Sequence, residues 1–229
     1  MKVLCTICAR GGSKGVKNKN LKKFLGKPLI YYTISQAKKI NRFTKIVCSS
    51  DSKNILDIAK KNKVDYTLLR PKFLSNDKVE KLKAIRHCLI YSEKFFKLKF
   101  DFIVDLDVTA PLRSIKDINK IISLISKKNN AHNILSLTPS RKNPYFNMVE
   151  IKRNNKLEIV KKISQKIHSR QKAPKVYEIN AGIYAWKRKS LIKSYDLINK
   201  NTHYFIVPNS RSLDIDTPED FKIVKSLLS

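Results

Sequence analysis

Apolar residues recur along the chain in two rhythms that take turns. KVLCTIC (2–8), TKIVCSS (44–50), VDYTLLR (64–70), DFIVDLD (101–107), NILSLTP (133–139), INAGIYAWK (179–187) and HYFIVPN (203–209) are short runs rich in β-branched and aromatic residues, and each predicts a strand. Between them lie segments with helical spacing: PLIYYTISQAKKI from Pro28, SKNILDIAKKN (52–62), residues 78–96, IKDINKIISLIS (115–126), KSLIKSYDLI (189–198) and TPEDFKIVKSLL (217–228). Leu82, Ile85, Leu89, Ile90 and Phe96 mark the apolar stripe of the third, and Ile115, Ile118, Ile121, Ile122 and Ile125 that of the fourth. Ser52 and Thr217 are expected caps, with Pro218, Glu219 and Asp220 suited to a first helical turn. Alternating strands and helices predict an α/β domain with a mainly parallel sheet covered on both faces. One stretch breaks the alternation. RKNPYFNMVEIKRNNKLEIVKK (141–162) reads as a β-hairpin turning near Asn154 and Asn155, and a polar segment follows to about Lys175. Residues 141–178 are therefore expected as an inserted flap, or an oligomer contact, within a single domain spanning 1–229.

A chain of 229 residues that is 42% hydrophobic can fill one full core. No apolar run approaches the roughly 20 residues of a membrane span. Lys2 is followed by too short an uncharged run for a signal peptide, so a cytoplasmic location is expected. Cys5 and Cys8 point to opposite faces of the first strand, and Cys48 and Cys88 stand alone, which predicts buried reduced thiols rather than a metal site. The net charge of +31 raises a nucleic-acid-binding module as an alternative. The lysines are spread over nearly every segment with no purely basic block, which fits attraction of small anions better.

Three of the five glycines, Gly11, Gly12 and Gly15, fall in ICARGGSKGVKNKN (7–20), beside Arg10, Lys14, Lys17 and Lys19. The stretch leaves the end of the first strand, where open parallel sheets bind ligands. Glycines there let backbone N–H groups turn toward an anion, and the cations supply charge. Neither GxxxxGK[ST] nor GxGxxG is present, and an exposed basic turn is the competing reading. Asp214 and Asp216 in DIDT lie two apart in an extended segment, so both carboxylates face one way, as Mg²⁺ on phosphate oxygens requires; the alternative is that they cap the last helix. Asp105 and Asp107 form a rival pair, for which a cap or an ion pair with Arg113 is the plainer role.

ARGGSKGVKNKN resembles the A-R-x-x-S-K-G-x-x-x-K-N signature of the CMP-sialic acid synthetases, the acylneuraminate cytidylyltransferases, in residue types and spacing. Nearly the whole chain follows suit. LLRP (68–71) with LSND (74–77), TAPLR (109–113), SRQKAP (169–174), INAGIYAW and DIDTPEDF (214–221) are each similar to a segment of that family. The resemblance implies a three-layer Rossmann-like nucleotide-diphospho-sugar transferase fold and a homodimer joined through the insertion. It implies that Ala9, Arg10, Gly11, Ser13, Lys14, Lys19, Asn20, Arg70 and Asp77 bind CTP, with Asn20 toward the base. It places Asp214 and Asp216 on Mg²⁺, and Arg170, Gln171, Thr109 and Asn180 on the sugar. Arg10, Lys14 and Asp216 are the expected catalytic residues.

Three departures cluster on the sugar side. Asp107 and Val108 replace a glutamine and a proline, NPYFN (143–147) replaces a lysine-bearing segment, and Lys81 stands near a serine position. Asp107, Tyr145 and Lys81 are thus expected at the sugar, and the pattern is similar to the legionaminic acid branch. The implied reaction is attack by the anomeric hydroxyl of a nine-carbon 2-keto sugar acid on the α-phosphorus of CTP, giving CMP-sugar and pyrophosphate. A cytidylyltransferase for the eight-carbon acid 3-deoxy-manno-octulosonate, or another sugar nucleotidyltransferase, is the alternative.

Overall fold

A computed structural model describes residues 1–13, 15–75, 80–164, 167–193 and 196–228. The strand rhythm gives β1 (Val3–Cys8), the short β2 (Lys23–Phe24) and β3 (Lys27–Pro28), and then α1 (Leu29–Lys38). β4 (Lys45–Ser50), α2 (Lys53–Lys61), β5 (Tyr66–Leu69), α3 (Lys81–Phe96), β6 (Phe102–Leu106), α4 (Ile115–Lys127) and β7 (Asn133–Pro139) follow. The hairpin is β8 (Val149–Ile151) and β9 (Leu157–Ile159), and its turn places Asn155 at φ 57, a left-handed conformation that asparagine tolerates. β10 (Tyr177–Lys187), α5 (Arg188–Lys193), the edge strand β11 (Thr202–Ile206) and α6 (Pro218–Leu228) complete the chain.

Seven strands form one sheet in the order β11-β7-β10-β6-β1-β4-β5. Every adjacent pairing is parallel except the two made by β10, which runs antiparallel to both β6 and β7. Because β10 is reversed, its beginning lies where its neighbours end. Its register with β7 shifts between Ile179 and Tyr184, and the irregularity sets Asn180–Gly182 at the C-terminal rim of the sheet.

Alternation along the strands sends side chains into two cores. Val3, Cys5 and Ile7 face α1, α2, α4 and α6, packing with Ile30, Ile34, Ile55, Ile121 and Phe221. Leu4 faces the other way, with Leu82, Ile85, Leu89, Tyr184 and Trp186 beneath α3 and α5. The three layers match the sequence expectation, with Cys5 and Cys8 on opposite faces as periodicity requires. Ile90 departs from it: the position is 48% exposed, on the outer side of α3. Ser52 precedes α2 without a side-chain capping bond, whereas Ser114 and Asp117 form a full capping box on α4. Among the described residues no helix is long and apolar enough to cross a membrane.

The layer beneath α3 is tied by one ion cluster. Arg188 at the start of α5 grips Glu93 of α3 through Nε (2.6 Å) and a second nitrogen (2.8 Å), while Lys99 (2.9 Å) and the N–H of Phe100 complete the carboxylate's partners. Burial alone would raise the Glu93 pKa; these donors overturn that and hold it at about 2, from an ordinary 4.5. A depressed carboxyl pKa stabilises the fold above its unfolded value, and the contribution disappears as pH falls from about 4.5 toward 2. Arg188→Met should therefore lower stability by roughly 3 kcal/mol in urea titrations at neutral pH and move acid unfolding to higher pH. Unchanged acid unfolding would show that the cluster does not link the two helices.

Candidate active site

A cavity of about 540 Å³ opens at the C-terminal rim of β1 and β6. Three distant parts of the sequence close it. The first is the glycine loop. Ala9 is held by its N–H on the Ser49 carbonyl (3.0 Å), and Asn20 folds the loop back by donating Nδ2 to the Arg10 carbonyl (2.9 Å). Ala9, Arg10, Ser13, Lys19 and Asn20 line the cavity. The Asn20 Oδ1 is buried without a hydrogen-bond partner among the described residues.

The second part is the DIDT segment. The N–H of Ile215 bonds the Thr109 carbonyl (2.8 Å), which seats the segment on the loop after β6. Arg211 anchors its approach by a two-bond grip on Asp117 of α4 (2.8 and 2.9 Å). Asp214 and Asp216 both line the cavity. They do not cap α6: Thr217 and Asp220 do so reciprocally, the Thr217 hydroxyl accepting from the Asp220 N–H and the Asp220 carboxylate from the Thr217 N–H (2.8 Å).

Loop and segment meet directly. Lys19, almost fully buried, donates Nζ to the Ile215 carbonyl and to Asp216 Oδ1 (2.9 Å). Gly15 lies against the Asp216 backbone so closely that a Cβ there would stand 2.1 Å from the Asp216 carbonyl oxygen. A glycine is required at this position by contact, not by backbone angle.

The third part is the start of α3. Lys81 reaches across the rim and pairs with Asp105 Oδ2 (2.8 Å) and Asp107 Oδ2 (2.7 Å). Asp105 is fully buried and also accepts from the Thr6 hydroxyl (2.7 Å); Asp107 accepts from the N–H (3.1 Å) and hydroxyl of Thr109. Burial would lower the Lys81 pKa, but the two carboxylates raise it above the ordinary lysine value. Burial would raise that of Asp107, and Lys81 brings it to about 2. The Asp107–Arg113 pair weighed from sequence is not formed. The Arg113 guanidinium donates instead to the Gln36 side chain, the Gly182 carbonyl and the Thr33 hydroxyl.

Asp214 carries the opposite perturbation. Burial, then the neighbouring Asp107 charge, push it up to about 6 against the N–H bond from Ala181, and its Oδ1 is buried without a partner among the described residues. Unpaired carboxylate oxygen beside a second carboxylate suits a hard cation. Among the described residues no group of three or more metal-ligating side chains occurs, so further ligands would have to come from bound phosphate or water.

The residues expected from sequence divide as follows. Ala9, Arg10, Ser13, Lys19, Asn20, Arg70, Lys81, Asp107, Thr109, Asp214 and Asp216 gather in one cavity. Gly11 does not: its N–H is taken by Asp51 Oδ1 (2.9 Å), and the residue seats the loop on the start of α2. Asn180 turns its Oδ1 inward to the Ser136 hydroxyl, leaving Ala181 to face the cavity. Tyr145, Arg170 and Gln171 are also elsewhere. Tyr145 packs under Lys161, while Arg170, bonded to the Ser140 carbonyl (3.1 Å), lines a separate groove with Gln171. The reason is the insertion itself, which carries all three off the sheet. Lys14 and Asp77 lie outside the described residues. Sequence reasoning missed the Lys81 clamp, the Arg211 brace and the steric role of Gly15; a scarce glycine in a cationic loop was the only available signal for the last.

Comparison with known proteins follows the same outline. A sequence model described as cytidylyltransferase matches residues 4–227. The chain is 43% identical over 227 residues to the CMP-N,N'-diacetyllegionaminic acid synthase of Campylobacter jejuni, covering 99% of this chain and 95% of the relative. It is 42% identical over 226 residues to the post-translational flagellin modification protein B of Campylobacter coli, covering 99% and 94%. A CMP:2-keto-3-deoxy-manno-octonic acid synthetase solved with CTP superposes with a TM-score of 0.73 at 17% identity, over 100% of this chain and 98% of that one, a likeness of fold.

Lys81→Met would leave two buried carboxylates without their cation. A loss of about 3 kcal/mol or more at neutral pH is expected, partly recovered on acidification as the carboxylates take up protons. Urea titration across pH, with exposed Lys83→Met as control, measures it; equal stability of the two variants would discount the clamp.

Proposed function

We propose, given that this chain belongs to the cytidylyltransferase family, that it activates a nine-carbon 2-keto sugar acid of the legionaminic type with CTP, releasing pyrophosphate and CMP-sugar. One observation carries the reading: the glycine loop and the DIDT carboxylates, nearly two hundred residues apart, close a single cavity. The 43% identity to a CMP-N,N'-diacetyllegionaminic acid synthase supports the substrate class.

In this reading the backbone and cations of residues 10–20 receive the triphosphate, with Arg10 and Lys14 bearing the charge that grows on the phosphoryl oxygens. Asn20 presents its unpartnered Oδ1 toward the cytosine. Arg70, 5% exposed and held by Ser75 (2.9 Å), adds a fixed cation to the wall. Asp214 and Asp216 would hold Mg²⁺, which neutralises phosphate charge and acidifies a nearby hydroxyl when bound. Asp216 is the proposed acceptor of the anomeric proton. The reaction asks mainly for positioning, so the rigid seam between Gly15 and Asp216 matters as much as the charges.

The sugar carboxylate needs a cation, and Arg170 is the proposed partner because a guanidinium fork matches its two oxygens. Within one chain Arg170 is held outside the cavity. We therefore propose a two-fold dimer in which the insertion of one copy supplies Tyr145, Arg170 and Gln171 to the other's cavity. The insertion carries exposed apolar residues suited to a contact, Met148, Val149, Ile151 and Leu157 among them.

Pyrophosphate release should need CTP, Mg²⁺ and a nine-carbon keto sugar acid together. Preference for the eight-carbon acid would move the assignment within the fold. Tight, steeply salt-dependent nucleic-acid binding without turnover would replace it. Asp216→Asn should cut turnover roughly a hundred-fold or more while CTP binding survives. Gly15→Ala should lower kcat/KM by about a hundred-fold through displacement of the loop. A fully active Asp216→Asn enzyme removes that residue from proton transfer. Mixing the inactive variants Arg10→Ala and Arg170→Ala should restore activity, since a heterodimer then contains one intact site; no recovery would mean that each insertion serves its own chain.

A further inference from the structure

Arg113 stands in the loop that leaves β6, is 3% exposed and lines no part of the active-site cavity. Each of its nitrogens is taken up by a different uncharged acceptor. Nε donates to Gln36 Oε1 (3.0 Å), one terminal nitrogen to the Gly182 carbonyl (2.7 Å) and the other to the Thr33 hydroxyl (2.6 Å). Thr33 and Gln36 belong to α1, and Gly182 to β10. The two α1 side chains bond back to the loop. Thr33 donates its hydroxyl to the Asp107 carbonyl (3.3 Å), and Gln36 donates Nε2 to the carbonyls of Pro111 (2.7 Å) and Arg113 (3.1 Å). Residues 107–113 are thereby clamped between a helix and a strand that are both remote in sequence.

Burying a guanidinium on neutral acceptors costs solvation. Burial brings the Arg113 pKa down to about 10 while the Asp107 charge opposes the shift, so the group stays charged at neutral pH. What offsets the cost is a planar fork that spans acceptors on two elements at once, which no other side chain supplies. The clamp leads to the DIDT segment by two routes. Gly182 follows Ala181, whose N–H bonds Asp214 Oδ2 (3.3 Å). The clamped loop contains Thr109, whose carbonyl receives the Ile215 N–H (2.8 Å). Lys19 and Gly15 hold Asp216 from the glycine loop, so these two tethers hold the segment from the opposite side, and both run through residues that Arg113 fixes. A Cβ built on Gly182 would stand 3.6 Å from Ala110 Cβ, so the bend of β10 rests on the same loop.

We infer that Arg113 is a positioning residue for nucleotidyl transfer: it sets Asp214 and Asp216 against the glycine loop by clamping the 107–113 loop and the bend of β10 to α1. The inference rests on the reading given above, in which those carboxylates hold Mg²⁺ on CTP, and it adds the group that keeps them in place. Loss of the fork frees the two tethers but leaves the glycine loop and its cations untouched. Metal-dependent turnover then suffers and nucleotide recognition does not. Lysine keeps the charge but carries a single nitrogen, which cannot bridge α1 and β10 in one plane.

The test compares full-length wild type with Arg113→Met, Arg113→Lys and Thr33→Val, and with Arg188→Met as a variant destabilised far from the site. Turnover is measured across Mg²⁺ and CTP concentrations, and amide hydrogen exchange is measured without ligands. Arg113→Met should cut kcat about thirty-fold and raise the Mg²⁺ concentration for half-maximal rate about ten-fold, with the KM for CTP at saturating Mg²⁺ within about two-fold of wild type. Arg113→Lys should fall between the two. Exchange at the Ala181 and Ile215 amides should quicken about ten-fold in both Arg113 variants and stay at the wild-type rate in Arg188→Met. If Arg113→Met fails to fold, Thr33→Val decides, since it removes one acceptor, keeps the side-chain shape and should shift each quantity about three-fold in the same direction. Folded variants that differ from wild type no more than Arg188→Met in Mg²⁺ requirement and in exchange at those two amides overturn the inference. Absence of turnover by wild type with CTP, Mg²⁺ and every keto sugar acid overturns the broader reading instead, and the exchange rates still decide whether Arg113 holds the segment.

Discussion

The buried ammonium of Lys19 makes the site possible. It bonds the Ile215 carbonyl and the Asp216 carboxylate, and so joins a loop near the N-terminus to a segment near the C-terminus. Closing so long a span costs chain entropy whichever contact does it, but the cost grows only logarithmically with length. The sheet has already met most of it by placing β1 beside β6 and the segment before α6 beside the loop that leaves β6. Lys19 then fixes the last few ångströms, and Gly15 permits the approach because no side chain stands between it and Asp216.

Much of this was legible in the order of the residues. Strand and helix rhythms gave the layers, because burial on alternate sides of β1 leaves a period of two that tertiary context does not disturb. The DIDT pair and the glycine loop were recognisable as one site through the family resemblance, and in the structure both lie just beyond the rim of the parallel sheet. What could not be read was partner choice. Asp107 had Arg113 as its expected cation, but packing assigns it to Lys81 while Arg113 turns to carbonyl and hydroxyl oxygens. The direction of β10 was equally hidden, since a buried strand has the same alternation whether it runs with its neighbours or against them.

Charge is distributed unevenly between surface and site. The chain has 49 lysines and arginines against 18 acidic residues, yet Asp105, Asp107, Asp214 and Asp216 lie around one rim. Two are neutralised by Lys81 and one is bonded by Lys19, which leaves Asp214 as the carboxylate whose charge is least compensated. The general positive field draws anions toward the protein, while the local acids decide where along the cleft a cation is tolerated. The same residues therefore separate the side lined by the cationic glycine loop from the side lined by Lys81 and Asp107.

The insertion leaves the sheet at the end of β7 and returns at the start of β10, and the Ser140 N–H bonds the Val176 carbonyl (3.1 Å) where the two ends meet. That stitch makes the excursion a closed appendix whose length and sequence are mechanically separate from the seven strands. Because its two ends are fixed to each other before it departs, a change of length or sequence within the appendix can leave the register of the seven strands untouched.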